Sequence, residues 1–191
     1  MRFSLGTCSL ACTAIIATAV LGTSIVSGAT APITGDYAEC PFTPGGAALQ
    51  GDDANDAIDG TGGTDYLRGG GGGDTLRGLA LADCLFGESG QDSIDAGDGQ
   101  DIVSGGNGAD AARGNAGADS LNGDGGADLV SGGNGPDALN GGSGADVIRG
   151  QAGNDELSGG RGIDRLLCGN GHDIAHPGRG DHVSRSCEVV R

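Results

Sequence analysis

Fourteen aspartates recur along the chain at a constant interval of nine residues, with no insertion or deletion between them. They are Asp56, Asp65, Asp74, Asp83, Asp92, Asp101, Asp110, Asp119, Asp128, Asp137, Asp146, Asp155, Asp164 and Asp173. A glycine-rich stretch precedes each aspartate, as in Gly132-Gly133-Asn134-Gly135-Pro136-Asp137. Each unit therefore combines one carboxylate with the backbone carbonyls of tight turns, which is the chemistry that a hard, oxygen-seeking cation requires.

The repeat unit reads G-G-x-G-x-D-x-U-x, where U is an aliphatic residue two positions after the aspartate. Strict repetition at a short period is typical of solenoids, in which each unit buries its apolar residue against the next. We expect a six-residue turn and a three-residue strand in each unit, with U facing inward. Two units would form one eighteen-residue coil, so the sequence predicts an all-β, parallel solenoid of about seven coils.

The composition limits the classes of protein that the chain can represent. It has 191 residues, 43 glycines and a formal charge of −16. This combination would normally favour disorder, because few apolar residues are available to form a core. Repeats can nevertheless fold, because each one buries its apolar residue by stacking on the next. The acidic balance argues against nucleic acids and anionic membranes as partners and in favour of cations. We expect the protein to be a monomer.

The first part of the chain differs from the repeats. An uncharged, apolar stretch covers about Leu10 to Val26, and the small residues Ser27, Gly28 and Ala29 follow it. This pattern predicts a signal peptide over residues 1–29 and a secreted, extracellular protein. A transmembrane anchor is the alternative, although the stretch is short for a full span. Residues 30–50 are predicted to cap the first coil, residues 51–176 to form the solenoid, and residues 177–191 to form the C-terminal cap.

Four cysteines would remain after removal of the signal peptide, and an even number in a secreted chain predicts disulfide bonds. Three pairings are possible. Proximity along a stack of coils favours Cys40 with Cys84 and Cys168 with Cys187. A zinc site is the alternative for the second pair, because three histidines lie between its members: His172, His176 and His182.

The units resemble the RTX, or hemolysin-type, calcium-binding repeat, as in Gly105-Gly106-Asn107-Gly108-Ala109-Asp110 and Gly141-Gly142-Ser143-Gly144-Ala145-Asp146. The resemblance implies a parallel β-roll with calcium ions between the turns of successive coils. More loosely, the tail from Cys168 to Glu188 resembles the ends of small secreted actinobacterial proteins that carry such repeats.

The resemblance implies that each repeat pairs with the second repeat after it. This pairing arranges the aspartates in two ladders. The first ladder holds Asp56, Asp74, Asp92, Asp110, Asp128, Asp146 and Asp164, and the second holds Asp65, Asp83, Asp101, Asp119, Asp137, Asp155 and Asp173. Stacked carboxylates repel by about 1 kcal/mol per neighbour even in water, and a divalent cation in each gap would relieve that repulsion. Seven aspartates in each ladder leave six gaps, so twelve is the upper limit for the number of calcium ions between them. The alternative interpretation is that each aspartate is a turn former that bonds its own backbone.

We expect about nine good calcium sites, because some gaps look poor, in particular those beside the fourth unit and the first unit. The unit at Gly78-Leu79-Ala80-Leu81-Ala82-Asp83 lacks two glycines, so its turn is expected to be distorted. Ala54 replaces the fourth glycine of the first unit. The predicted ligands are therefore Asp56, Asp65, Asp74, Asp92, Asp101, Asp110, Asp119, Asp128, Asp137, Asp146, Asp155, Asp164 and Asp173.

The sequence contains no catalytic motif of the H-E-x-x-H or G-x-S-x-G type. The segment before the repeats is too short for a catalytic domain, so we expect no enzyme. The predicted function is that of a secreted calcium-binding protein that folds when several calcium ions bind. The alternative is an extracellular adhesion or surface-matrix protein that calcium stiffens, with a cell-surface or matrix ligand that the sequence does not identify.

Overall fold

The computed structural model describes residues 45–187 and 189–190, which form two parallel β-sheets of nine and eight strands. The predicted signal peptide and most of the predicted N-terminal cap lie outside these residues. The nine-stranded sheet consists of β1 (Ala48–Gln50), β3 (Tyr66–Gly71), β5 (Cys84–Ser89), β7 (Ile102–Asn107), β9 (Ser120–Gly125), β11 (Ala138–Gly144), β13 (Glu156–Gly162), β15 (Ile174–His176) and β17 (Val189–Val190). The eight-stranded sheet consists of β2 (Ala57–Asp59), β4 (Thr75–Ala80), β6 (Ser93–Gly99), β8 (Ala111–Gly117), β10 (Leu129–Asn134), β12 (Val147–Ala152), β14 (Arg165–Asn170) and β16 (His182–Val183).

Successive strands alternate between the two sheets, and from β1 to β15 each paired residue lies eighteen positions from its partner. Val130, for example, pairs with both Ala112 and Ile148 in the eight-stranded sheet. This register confirms the predicted parallel β-solenoid. Among the described residues no helix is present that could cross a membrane.

The core is a single column of aliphatic side chains between the two sheets, as the U positions predict. Its U-position members are Ile58, Leu67, Leu76, Leu85, Ile94, Val103, Ala112, Leu121, Val130, Leu139, Ile148, Leu157, Leu166 and Ala175, each at most 2% exposed. Burial of one such side chain contributes about 1.5–3 kcal/mol. One aliphatic residue per strand is a thin core for a chain that must also order so many glycines.

The strands are longer than the sequence predicted. Most contain six or seven residues rather than three, because the first residues of each glycine-rich stretch also pair with the neighbouring coil. Gly133, for example, pairs with Gln151, and Asn134 pairs with Ala152. The glycines that follow must approach the preceding coil closely. A Cβ on Gly144, whose φ is +152°, would lie 1.3 Å from the carbonyl oxygen of Gly126.

The solenoid has about eight turns rather than seven, because strands at both ends continue the sheets. Strand β1 lies in the segment expected to be an N-terminal cap, and its Leu49 pairs with Leu67. Strands β16 and β17 lie in the predicted C-terminal cap and pair with β14 and β15. The sequence pattern missed these strands because none of them follows a regularly spaced aspartate.

The disulfide predicted between Cys168 and Cys187 is present, with Cα atoms 5.1 Å apart. Cys168 is fully buried within β14, and Cys187 lies just after β16. The bond therefore joins the tail to the preceding coil. Cys84 is also disulfide-bonded, but the predicted pairing with Cys40 lies outside the described residues.

Candidate metal site

All fourteen regularly spaced aspartates are buried, with between 0% and 7% of each residue exposed. Each one immediately precedes a strand and lies two residues before the inward-facing aliphatic residue. Since side chains alternate along extended backbone, aspartate and aliphatic residue point to the same side. The repeat therefore directs a full column of carboxylates into the interior of each row of turns.

The first oxygen of each carboxylate binds the backbone of the neighbouring coil. The N–H of Asp110 donates to Oδ1 of Asp128 at 2.8 Å, and the same bond joins consecutive aspartates in both ladders at 2.6–3.0 Å. The two ladders thus contain the aspartates that the sequence assigned to them. The turn-former interpretation is wrong for Oδ1, because its donor lies one coil away rather than in its own turn.

The second oxygen of most of these carboxylates has no protein partner. Twelve buried Oδ2 atoms among the described residues accept no hydrogen bond, and they belong to Asp74, Asp83, Asp92, Asp101, Asp110, Asp119, Asp128, Asp137, Asp146, Asp155, Asp164 and Asp173. A buried polar atom without a partner costs about 1–3 kcal/mol, and more when it is charged. A row of such atoms is therefore destabilising unless an additional group binds them.

In the first two units, unlike the others, Oδ2 of the aspartate has a hydrogen-bond partner in the protein. Oδ2 of Asp56 accepts a 2.9 Å hydrogen bond from the N–H of Asp52, and Oδ2 of Asp65 accepts one of 2.6 Å from the N–H of Thr61. These two aspartates do bond the backbone of their own turns, as turn formers would. Their second oxygens are consequently less available to a cation than those of the later units.

The first glycine of each unit leaves space for the second oxygen. A Cβ on Gly123 would lie 2.6 Å from Oδ2 of Asp128 and 2.6 Å from the carbonyl oxygen of Gly141 in the next coil. A carboxylate oxygen and a backbone carbonyl therefore face the same small space. Two units carry a side chain at this position, since Ala96 and Cys168 replace glycine and are fully buried. The sequence-based ranking of sites did not consider this position.

Burial raises the pKa of eleven ladder carboxylates, those from Asp74 to Asp164, above the usual value of 3.8. The pKa rises to about 7 for Asp83 and Asp137 and to about 6 for Asp101 and Asp128. Loss of solvation is the main cause in every case, and the charges of neighbouring aspartates in the ladder add to it. The charged form that would bind a cation is therefore unfavourable in the protein alone.

Among the described residues, the ion pairs of Arg68 and Arg77 lie away from the ladders. Arg77 binds Asp59 at 3.2 Å, and Arg68 binds Glu88, where Asp59 and Glu88 belong to neither ladder. These pairs lie on partly exposed side chains, where an ion pair contributes about 0–1 kcal/mol. They do not neutralise the interior carboxylates, so a bound cation remains the simplest source of compensating charge.

The donor set fits calcium better than zinc. Within residues 45–187 no three histidine, cysteine, aspartate or glutamate side chains form a common metal-binding group. An ion in the gaps would therefore take most of its ligands from backbone carbonyls, which suits a hard cation with six to eight oxygen ligands. The zinc alternative is weakened because Cys168 and Cys187 are bonded to each other and because Nε2 of His176 pairs with Glu156 at 2.8 Å.

Asp83 occupies its ladder position in the same way as the other aspartates, although it was not among the ligands predicted from the sequence. Its Oδ1 accepts a 2.6 Å hydrogen bond from the N–H of Asp65, and its Oδ2 has no partner. The preceding turn keeps left-handed backbone at two leucines, with φ of 84° at Leu79 and 72° at Leu81. The missing glycines therefore introduce strain at these leucines without displacing the carboxylate.

Two further residues occupy ladder positions that the nine-residue spacing did not reveal. The N–H of Ala47 donates to Oδ1 of Asp65, so Ala47 begins the second ladder without a carboxylate. The N–H of Asp164 donates to Oδ1 of Asp181 at 3.0 Å, so Asp181 extends the first ladder. Asp181 follows Asp164 by 17 residues rather than 18, which removed it from the periodic pattern. Its local sequence, Pro177-Gly178-Arg179-Gly180-Asp181, was nevertheless recognisable as the start of another unit.

Fold and site together define a parallel β-solenoid whose turns present ladders of aligned aspartates. The RTX calcium-binding nonapeptide repeat family matches in four copies, at residues 45–76, 77–112, 104–139 and 131–166. These matches cover more than half of the chain, which therefore belongs to this family. No curated protein matches the sequence. The looser likeness to small secreted actinobacterial proteins stays a prediction.

Proposed function

We propose that this protein is a secreted calcium-binding β-roll that folds when several calcium ions bind between successive turns. The observation that carries the proposal is the row of twelve buried Oδ2 atoms without protein partners. Membership of the RTX family implies calcium as the ion. The proposed role is binding rather than catalysis.

The proposed ligands are the thirteen aspartates predicted from the sequence, together with Asp83. Because Oδ2 of Asp56 and of Asp65 already accepts a backbone hydrogen bond, these two aspartates should contribute least. Ala96 and Cys168 place side chains where the other units have a glycine, so the turns before Asp101 and Asp173 should also bind weakly. The proposed number of ions remains about nine, with twelve regular gaps as the upper limit.

Binding is expected to drive folding because the metal-free coils are unfavourable in two ways. The core offers one aliphatic side chain per strand, which is little to set against the entropy of ordering so many glycines. Each coil also buries carboxylates that lack a counter-charge. When ligands assemble only in the folded chain, the free energy of metal binding becomes free energy of folding.

Secretion is supported by the apolar N-terminal sequence and by the bond between Cys168 and Cys187, since disulfides persist mainly in oxidising compartments. Calcium modules that work outside the cell commonly have dissociation constants of about 10⁻⁴–10⁻³ M. A chain that folds in this range would remain unfolded in a calcium-poor cytoplasm and fold after export. The alternative role in adhesion or a surface matrix uses the same calcium sites and stays a prediction.

Equilibrium dialysis with calcium tests the proposal directly. Asp128→Asn removes one charge from the middle of a ladder and keeps the shape of the side chain, so it should lower the number of bound ions. Asp53→Asn is the matched control, because Asp53 is an exposed turn residue outside both ladders. Loss of ions in the first variant alone supports the proposal. A wild-type chain that binds no calcium at millimolar concentrations would refute it.

A further inference from the structure

Asp181 forms an irregular end to the first ladder. It lies just before β16, and its Oδ1 accepts the hydrogen bond from the N–H of Asp164 that a regular ladder aspartate would accept. Its Oδ2 accepts a 2.7 Å hydrogen bond from the N–H of Gly178, three residues earlier in the same turn. The short, 17-residue step therefore keeps the ladder bond and fixes the carboxylate in a defined orientation.

Beside Gly159, two carboxylate oxygens border the gap between Asp164 and Asp181, whereas one carboxylate oxygen and one backbone carbonyl are nearest to the equivalent glycine in most other gaps. A Cβ on Gly159 would lie 2.6 Å from Oδ2 of Asp164 and 2.7 Å from Oδ2 of Asp181. In the preceding gap of this ladder, the same position on Gly141 lies 2.5 Å from Oδ2 of Asp146 and 2.7 Å from a backbone carbonyl, that of Gly159. A second charged oxygen thus replaces a neutral carbonyl at the end of the ladder.

The buried carboxylate of Asp164 indicates that this gap binds an additional group. The residue is 1% exposed, and its Oδ2 has no hydrogen-bond partner. Two carboxylate oxygens that face one small space repel each other unless a cation lies between them. Oδ2 of Asp181 has a second lone pair besides the one that accepts the hydrogen bond from Gly178, so it can still bind a cation. A calcium ion gains more from two anionic ligands than from one carboxylate and one carbonyl, since ligand charge is one of the factors that set calcium affinity.

We propose that the gap between Asp164 and Asp181 is an additional calcium site that holds the C-terminal tail on the end of the roll. This inference rests on the proposed function. Asp181 precedes β16, whereas Cys187 follows it and is bonded to Cys168 in β14. The short segment from His182 to Cys187 is thus held by an ion at one end and by a disulfide at the other.

The number of bound ions provides the first test. Asp181→Asn keeps an oxygen for the N–H of Asp164 but removes the charge, so dialysis with calcium should detect one ion fewer than in the wild-type chain. Asp53→Asn, at an exposed turn aspartate outside the ladders, should leave the number unchanged. An unchanged number in Asp181→Asn, with normal calcium binding by the wild-type chain, would overturn the inference and leave the proposed function intact.

Limited digestion with trypsin provides a second, local test. Arg185 lies within the held segment, and Arg113 lies in the middle of the roll. In calcium, Asp181→Asn should be cleaved after Arg185 about tenfold faster than the wild-type chain, a change that corresponds to about 1.4 kcal/mol of local stability. Cleavage after Arg113 should not change. Equal rates at Arg185 in both chains would refute the site, whereas a wild-type chain in which calcium fails to protect Arg113 would refute the proposed function itself.

Discussion

The backbone N–H of Asp110 donates a 2.8 Å hydrogen bond to Oδ1 of Asp128 one coil further along, while Oδ2 of Asp128 has no partner. One carboxylate therefore has two separate tasks. Its first oxygen joins adjacent coils, and its second remains available to a cation. This division explains why aspartate occupies the position in all fourteen units, since serine offers one oxygen and asparagine no charge.

Replacement of the two strained leucines by glycine should stabilise the protein. Leu79 and Leu81 have left-handed backbone, which costs about 1–2 kcal/mol for a residue with a Cβ. The two residues are 49% and 53% exposed, so little burial would be lost. After allowance for the greater freedom of glycine in the unfolded chain, about 0.5–1 kcal/mol, the double variant should have a higher melting temperature in calcium.

Ala80→Gly is the matched control for this prediction, because Ala80 lies between the two leucines and has no left-handed backbone. It should lower the melting temperature slightly, since glycine adds unfolded-state entropy and relieves no strain. A double leucine variant that melts at or below the temperature of Ala80→Gly would show that the leucines are not strained.

Acidification should stabilise the metal-free fold. The pKa of Asp83 and of Asp137 is raised by burial from 3.8 to about 7. The folded chain therefore binds protons more tightly than the unfolded chain. The stabilisation that protonation of these two carboxylates provides is fully present below pH 3.8 and is lost as pH rises through about 7. Far-ultraviolet circular dichroism in the presence of a chelator should detect more β structure at pH 5.5 than at pH 8.

Calcium-loaded protein should depend on pH in the opposite direction. Protons compete with calcium for the same carboxylates, so the calcium concentration at the midpoint of folding should rise as pH falls from 8 to 5.5. A midpoint that is independent of pH, or a chelated chain that gains structure as pH rises, would contradict the assignment of buried carboxylates to the binding sites.

Loss of the disulfide should affect the end of the roll far more than its middle. The bond between Cys168 and Cys187 closes a loop of 19 residues, which corresponds to about 3 kcal/mol by chain entropy. Cys168→Ala with Cys187→Ala should lower the melting temperature and promote aggregation, because the strand edges beneath the tail become accessible. Calcium binding by the central coils should persist. Unchanged melting and solubility would contradict a capping role for the tail.

Much of the fold could be predicted because one period specifies both its core and its site. Leu139 and Asp137 follow the same nine-residue spacing as the other U-position aliphatic residues and ladder aspartates, and strand alternation directs both into the interior. The pairing that arranges the aspartates in two ladders was implied by the family resemblance, and the disulfide at the C-terminal end followed from proximity along the stack of coils.

Other features could not be predicted because they depend on contacts between coils. The end strand β1 lacks an aspartate, yet Leu49 enters the register because the next coil supplies its pairing partner. Asp181 joins the ladder despite a missing turn residue, since its carboxylate can still reach the N–H of Asp164. Nor does a nine-residue pattern reveal that Leu79 and Leu81 adopt left-handed backbone in place of the missing glycines.

Calcium titration of chelator-treated protein, followed by far-ultraviolet circular dichroism and thermal melting, tests the central claim most directly. The account predicts a chain that is largely unfolded without calcium, and that gains β structure cooperatively as calcium is added. Magnesium should not replace calcium, because it requires a smaller, nearly octahedral set of ligands. A chelated chain that retains its full β signal and a sharp thermal transition at neutral pH would contradict the claim that calcium binding drives folding.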